Sequence, residues 1–354
     1  MLISIKELKT GIKLDQDVHS KLGGILFKKG TIILDEHREI LDAFGVEQVE
    51  IVGEEKKKEK QTKSEKPKTK HETEDPFTEL FTQALKTIDH IYKLAQGNAQ
   101  IPVLEIRKTL QPLLDDSFLQ LKHLSRLKFI SQNLMKYDSH HALSVGILSY
   151  AIGKWLGLEQ GEGMQLALAG VLHDIGISRI SGHYIYKNGI LTKDEFEEVK
   201  KHTLYGYQVI KDTKGLTEGT ILSVLQHHER EDGSGYPLGL KKDQIHLYAK
   251  IVAIADIYHA LVSKRNYRAE YPLFQAIEQL SKESFGKLDP KIVRIFIDRM
   301  TKISNGTHVL LNSGQEGTIV FVDQHNPTRP WIKVGEEIIN LLKEKELYIK
   351  DIFL

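Results

Sequence analysis

Leu166-Ala167-Leu168-Ala169-Gly170-Val171-Leu172-His173-Asp174-Ile175-Gly176 is an apolar run, broken only by a glycine, that ends on an imidazole and a carboxylate. It closes a helical stripe that starts at Met164. Comparable stripes run through Val103–Leu121, Leu143–Leu156, Phe196–Val209, Ile221–Gln226, Ala249–Leu261, Phe274–Leu280 and Lys291–Met300. Upstream, Phe77, Leu80, Phe81, Leu85, Ile88 and Ile91 recur at three- and four-residue spacing, which places them on one face of a helix. The pattern predicts one all-α domain over residues 76–303.

The period changes on both sides of that domain. Residues 1–53 read as a small α+β module. Leu2 to Ile5 alternates, glycine turns bracket Ile25-Leu26-Phe27 and Thr31-Ile32-Ile33-Leu34, Asp35 can cap a short helix, and Val49 to Val52 would close a sheet. Residues 54–75 interleave lysine and glutamate with almost nothing apolar, so they cannot bury enough surface to offset their ordering entropy and read as a linker. Beyond Asn305-Gly306, short strand candidates at Val309-Leu310-Leu311, Gly317 to Val322, Trp331 to Val334 and Glu337 to Leu341 predict a small β-barrel-like domain over 304–354.

Composition excludes several classes. A formal net charge of +1 on 354 residues provides no field to recruit nucleic acid or an anionic membrane. With no cysteine, disulfides, thiolate metal sites and cysteine nucleophiles are all ruled out. No apolar run reaches the roughly 20 residues that span a bilayer. Residues 1–6 lack the basic flank and apolar stretch of a signal peptide, and a cytoplasmic location is expected. Neither terminal module carries a motif with an associated mechanism, and the oligomeric state is left open.

The 16 histidines carry the chemistry. His141 opens the stripe through Val145, Ile147 and Leu148, His173-Asp174 ends the run quoted above, and His202 precedes Gly206. His227-His228 ends another stripe, and Asp256 lies inside Ile251-Val252-Ala253-Ile254-Ala255-Asp256-Ile257-Tyr258, where an uncompensated charge is expensive. Each residue alone has an ordinary structural explanation. As an ordered set in one helical domain, five imidazoles and two carboxylates suit a divalent metal such as Fe, Mn, Ni or Zn. The number of donors exceeds one four-coordinate site and points to a cluster, with metals ~3.5–4 Å apart.

This ordered set, together with His227-His228-Glu229-Arg230-Glu231-Asp232-Gly233-Ser234-Gly235-Tyr236-Pro237, resembles the HD-GYP phosphodiesterases. The similarity runs from Asp138 to Arg268 and more loosely to Met300. The resemblance implies that His141, His173, Asp174, His202, His227, His228 and Asp256 hold two divalent transition metals, Fe or Mn before Ni or Zn. Asp174 would bridge them, and His173 and Asp174 would stand at the catalytic centre. It further implies hydrolysis of cyclic di-GMP to the linear dinucleotide or on to GMP. Arg265 and Arg268 would meet substrate phosphate, and Gly235, Tyr236 and Pro237 would lie at the pocket lip. The Gly-Tyr-Pro loop and the terminal modules are candidate surfaces for a protein partner.

Three positions depart from the family pattern. Ile177 stands where members carry a phosphate-contacting lysine, with Arg179 or Lys187 as substitutes. His259 stands for an aspartate, able to hydrogen-bond or ligate. Tyr137 replaces the carboxylate of three-metal members, so two metals are expected. Ile177 and His259 leave a rival expectation open: an impaired receptor that binds the cyclic dinucleotide and signals through partner proteins.

Overall fold

The computed structural model describes residues 2–5, 8, 12–19, 25–33, 37, 41, 46, 48–51, 75–97, 99–128, 137–187, 189–264, 270–303 and 305–353. The chain divides into two compact units, Met1–His71 and Glu72–Leu354. In the first, strand β1 (Leu2–Ser4) pairs antiparallel with β4 (Gln48–Glu50), and β2 (Val18–His19) with β3 (Ile25–Phe27). Ile5, Leu8, Leu14, Val18, Ile33, Leu41, Val49 and Ile51 form its core. Asp35 and residues 54–74 of the linker lie outside the described residues.

The second unit is mostly helical. Its longer helices are α1 (Pro76–Gln96), α2 (Val103–Leu110), α3 (Tyr137–Trp155), α4 (Gln160–Leu172), α5 (Lys193–Lys200), α6 (His202–Ile210), α7 (Glu218–Gln226), α8 (Leu247–Val262), α9 (Leu273–Ser284) and α10 (Pro290–Met300). α3, α4 and α8 form the middle. Leu143, Val145, Ile147 and Leu148 of α3, Leu166 to Ala169 of α4, and Ile251 to Ala255 of α8 are all buried, as in a helix surrounded by other helices. Two stripes differ from their expected extent. The stripe at Val103–Leu121 stops being α-helical at Leu110, and Gln111–Leu114 tightens into a 3₁₀ turn at Pro112, whose nitrogen has no proton to donate. The stripe Phe196–Val209 divides into α5 and α6 at Lys201. Among the described residues, no helix is long and apolar enough to cross a membrane.

Close approach of two backbones sets one further relation. A Cβ on Gly176 would lie 1.9 Å from the His202 carbonyl oxygen and 2.4 Å from the Gly206 nitrogen. Only glycine lets α6 rest directly on the turn that follows Asp174.

Residues 304–354, read from sequence as a domain of their own, belong to the same compact unit as the helices. They form an antiparallel sheet in the order β8-β7-β6-β5-β9, from β5 (His308–Leu311), β6 (Glu316–Phe321), β7 (Trp331–Val334), β8 (Glu337–Asn340) and β9 (Ile349–Phe353). The last strand was not expected. It pairs with β5, registering Val309 with Ile352. Among the described residues no ladder joins β8 to β9, so a closed barrel is not seen; closure would require a stagger of strand register around the whole sheet. Val309, Leu311, Ile319, Ile332, Leu341 and Ile349 join the helical core. At the seam, Arg329 grips Glu278 of α9 with two hydrogen bonds of 2.6 and 2.8 Å and donates a third, 2.8 Å, to the Leu347 carbonyl. Replacing Glu278 with Ala should therefore lower the unfolding free energy by roughly 1.5–3 kcal/mol, the range for charge-assisted bonds, as read by urea denaturation.

Candidate metal centre

Three of the five imidazoles sit where a helix ends. His173 follows α4, His227 follows α7, and His202 comes two residues after α5. The last carbonyls of a helix lack intrahelical partners, and each ring uses one. The Nδ1 of His173 lies 2.7 Å from the Gly170 carbonyl oxygen, that of His202 2.7 Å from Val199, and that of His227 3.0 Å from Val224. A carbonyl only accepts, so each Nδ1 carries a proton and each Nε2 points the opposite way, the nitrogen left to meet a cation.

Those Nε2 atoms converge on Asp174, half-buried at the turn after α4. Its Oδ1 lies 3.2 Å from His202 Nε2 and 3.5 Å from His227 Nε2, and its Oδ2 lies 3.3 Å from His173 Nε2 and 3.9 Å from His141 Nε2. Asp256, projecting from α8, brings Oδ1 to 3.1 Å from His141 Nε2. Asp174, His202, His227 and His228 form one group with ligand-type atoms within 4.8 Å of one another, and His141, His173 and Asp256 form a second. All seven residues singled out from sequence thus come together, and the two oxygens of Asp174 divide between the two groups.

The donor set suits a cation. His173 Nε2 is buried and has no hydrogen-bond partner among the described residues; its 3.3 Å approach to Asp174 has the distance of an ion pair without the angles of a hydrogen bond. The negative ends of α4 and α7 both point here, which favours positive charge. Burial resists a proton on His173, but the Asp174 and Asp256 carboxylates outweigh it and hold the ring up to about 9. His227, with burial dominant, falls to about 4, and burial likewise takes His228 well below the ordinary range. Burial opposes ionisation of Asp174, yet His173 and hydrogen bonds from His202 and His227 hold it well below the usual carboxylate range.

The Gly-Tyr-Pro loop closes one side. A Cβ on Gly235 would fall 2.4 Å from the Arg230 nitrogen and 2.5 Å from the His228 oxygen, so the loop lies on the backbone that carries the ligands. Tyr236 stacks on the His228 ring, centroids 4.7 Å apart and planes at 28°. Burial, with the charges of Asp174 and Asp256, pushes its phenol up. Pro237 follows through a cis peptide bond. Glu229, to which the sequence reading gave no role, anchors the loop: it is 2% exposed, and its carboxylate accepts from the Leu238 N–H at 2.7 Å and the Leu240 N–H at 2.9 Å.

A cavity of about 610 Å³ is lined by Ile177, Leu85, Lys86, Lys93, Asp138 and Tyr186 among others. Lys187, considered a substitute for the cation missing at 177, is committed to Glu195 at 2.6 and 2.8 Å. Arg179 is exposed and does not line that cavity; Lys86 and Lys93 do. His259 is fully buried on α8 with its nitrogens against His141 and the Leu127 carbonyl. Arg265 and Arg268 lie outside the described residues. Tyr137 is the first residue of α3.

The HD domain family model matches residues 108–292, just over half of the chain. A cyclic di-GMP phosphodiesterase of Pseudomonas aeruginosa is 33% identical over 199 residues, covering 56% of this chain and 48% of that protein. A cyclic di-GMP phosphodiesterase of Thermotoga maritima is 35% identical over 184 residues, covering 51% and 50%. The 3'3'-cGAMP-specific phosphodiesterase 3 of Vibrio cholerae is 28% identical over 214 residues, covering 60% and 44%. The chain spans about half the length of these curated relatives. Among solved structures, an HDGYP protein from Bdellovibrio bacteriovorus aligns over 84% of this chain and 98% of its own, with a TM-score of 0.52 and 18% identity, a likeness of fold alone.

Glu229→Ala would leave two loop N–H groups without their acceptor, each costing roughly 1–3 kcal/mol where buried. Amide hydrogen exchange should show the Leu238 and Leu240 protons losing protection, while the α3 and α4 amides keep theirs.

Proposed function

The chain belongs to the HD domain family, and from that premise we propose that it is a metal-dependent phosphodiesterase acting on a cyclic dinucleotide, cyclic di-GMP before 3'3'-cGAMP. The observation that carries the reading is the division of the Asp174 oxygens between two imidazole groups. In this reading His141, His173 and Asp256 hold one divalent metal, His202, His227 and His228 hold a second, and Asp174 is shared. When bound, such a pair supplies Lewis-acid neutralisation of phosphoryl charge and lowers the pKa of water toward ~7. The chain's residues do the rest. The backbone carbonyls of Gly170, Val199 and Val224 fix the tautomers, and Tyr236 and Glu229 keep the loop closed over His228. Arg265 and Arg268 are proposed as the forks that hold phosphate oxygens. The relatives named as phosphodiesterases of cyclic di-GMP and of 3'3'-cGAMP support the substrate class.

Elemental analysis after reconstitution with Fe or Mn should give about two metals per chain, as expected for a cluster of this donor number. Asp174→Asn should lose both, since the shared oxygens serve each group. A value near zero in the parent would overturn the metal reading. Turnover measured side by side on cyclic di-GMP and 3'3'-cGAMP then assigns the substrate.

A second reading, a receptor that binds the cyclic dinucleotide without efficient turnover, is favoured by one observation: the wall of the cavity at 177 is an isoleucine. Loss of one preorganised donor costs ~10²–10³ in rate. Ile177→Lys should raise turnover at least several-fold with metal content unchanged. If parent and variant both bind dinucleotide with full metal and neither turns over, the receptor reading stands.

A further inference from the structure

His259 was read from sequence as a residue able either to hydrogen-bond at the cluster or to ligate. Its surroundings decide between these. It lies on α8 one turn past Asp256 and is completely buried. Its Nε2 is 3.0 Å from the Leu127 carbonyl oxygen, and its Nδ1 is 2.8 Å from His141 Nδ1. The Ser263 hydroxyl lies farther off, at 3.4–3.5 Å.

A carbonyl oxygen only accepts, so His259 Nε2 must carry the proton that meets Leu127. A neutral imidazole has a single N–H, which leaves Nδ1 as an acceptor. The donor across the 2.8 Å contact is therefore His141 Nδ1–H. The other nitrogen of His141, Nε2, faces Asp256 Oδ1 at 3.1 Å and Asp174 Oδ2 at 3.9 Å. The opposite polarity would set a lone pair of His259 against the lone pairs of the Leu127 carbonyl. With the polarity that satisfies Leu127, His141 Nε2 is the ring nitrogen turned toward both carboxylates.

The fold also explains why this ring needs a side-chain partner when three of the other four do not. His173, His202 and His227 each follow a helix end and use a carbonyl of its last turn. His141 sits in the first turn and a half of α3, with the helix continuing to Trp155, so the carbonyls beside it are taken up by the helix's own N–H groups.

We infer that His259 is a positioning residue: it takes the Nδ1 proton of His141, fixes the tautomer and plane of that ring, and so aims the His141 Nε2 lone pair at the metal cluster, without being a ligand itself. The inference rests on the metal reading above and adds the direction of a hydrogen-bond wire running from His141 through His259 to Leu127.

The test uses the full chain in three forms: parent, His259→Leu and His259→Gln. Leucine fills the space but cannot accept from His141, whereas the glutamine amide offers both an acceptor for His141 and a donor for Leu127. Manganese affinity, measured by competition with a chelator, should fall about 10–100-fold in His259→Leu, the usual loss when an outer-sphere partner of a ligating histidine is removed. His259→Gln should recover most of it. Nitrogen-15 correlation spectra of the metal-free parent should show His141 protonated on Nδ1. The inference is overturned if His259→Leu binds manganese as tightly as the parent, if the leucine and glutamine variants weaken alike, or if His141 in the parent carries its proton on Nε2. If the leucine form does not fold, the glutamine form and the His141 tautomer still decide. A parent that binds no manganese would count against the metal reading alone, because the tautomer measurement tests the wire separately.

Discussion

The Asp174 carboxylate is charged, mostly withdrawn from water and held against four imidazole nitrogens, and most of the second unit can be understood as what makes that arrangement tolerable. A carboxylate taken out of water costs several kcal/mol even after relaxation, and its repayment depends on geometry. Here the repayment comes from residues far apart in the chain. α3 delivers His141, the end of α4 delivers His173, the start of α6 delivers His202, the end of α7 delivers His227, and α8 adds Asp256 with its own charge to compensate. Five imidazoles and two carboxylates make a donor set able to hold divalent cations.

Orientation matters as much as placement. An imidazole near a metal is useful only when the lone pair faces inward, and that is settled at its other nitrogen. The chain solves this in two ways. Where a ring follows a helix end, a carbonyl of the last turn serves. Where the ring lies within a helix, as His141 does, a second histidine takes over. The glycine contact between Gly176 and His202 belongs to the same logic, because any side chain there would push α6, and with it the His202 lone pair, away from Asp174.

The seven histidine and aspartate positions that come together were legible in the sequence because metal chemistry restricts which side chains are candidates, and because apolar stripes place them in one helical body. Partners that depend on distant contacts were not legible. The His141 to His259 contact spans 118 residues, and nothing local marks it. Glu229 reads as one acid in a polar string, yet it is 2% exposed, since its role is set by backbone N–H groups nine and eleven residues on. The strand Ile349–Phe353 escaped because Lys350 and Asp351 break up its apolar pattern and its partner β5 lies some forty residues earlier; the pairing supplies the apolar neighbours the strand itself lacks.

The two departures from the family pattern turn out to be different in kind. His259 stands where members carry a carboxylate, and in the inferred arrangement it accepts a hydrogen bond from His141 through a ring whose far nitrogen is satisfied by Leu127. The exchange removes one negative charge from beside the cluster. Among the described residues, Ile177 has no such compensation in place. Its side chain lines a cavity whose nearby cations, Lys86 and Lys93, come from α1, and Lys93 is already paired with Asp89 at 2.6 Å. A side chain from another helix can supply charge at that wall, but without the fixed position that a lysine three residues from Asp174 would have. In the proposed reading, metal holding and phosphate holding are therefore separable: the first would draw on buried, mutually oriented groups, the second on cations that, among the described residues, are exposed.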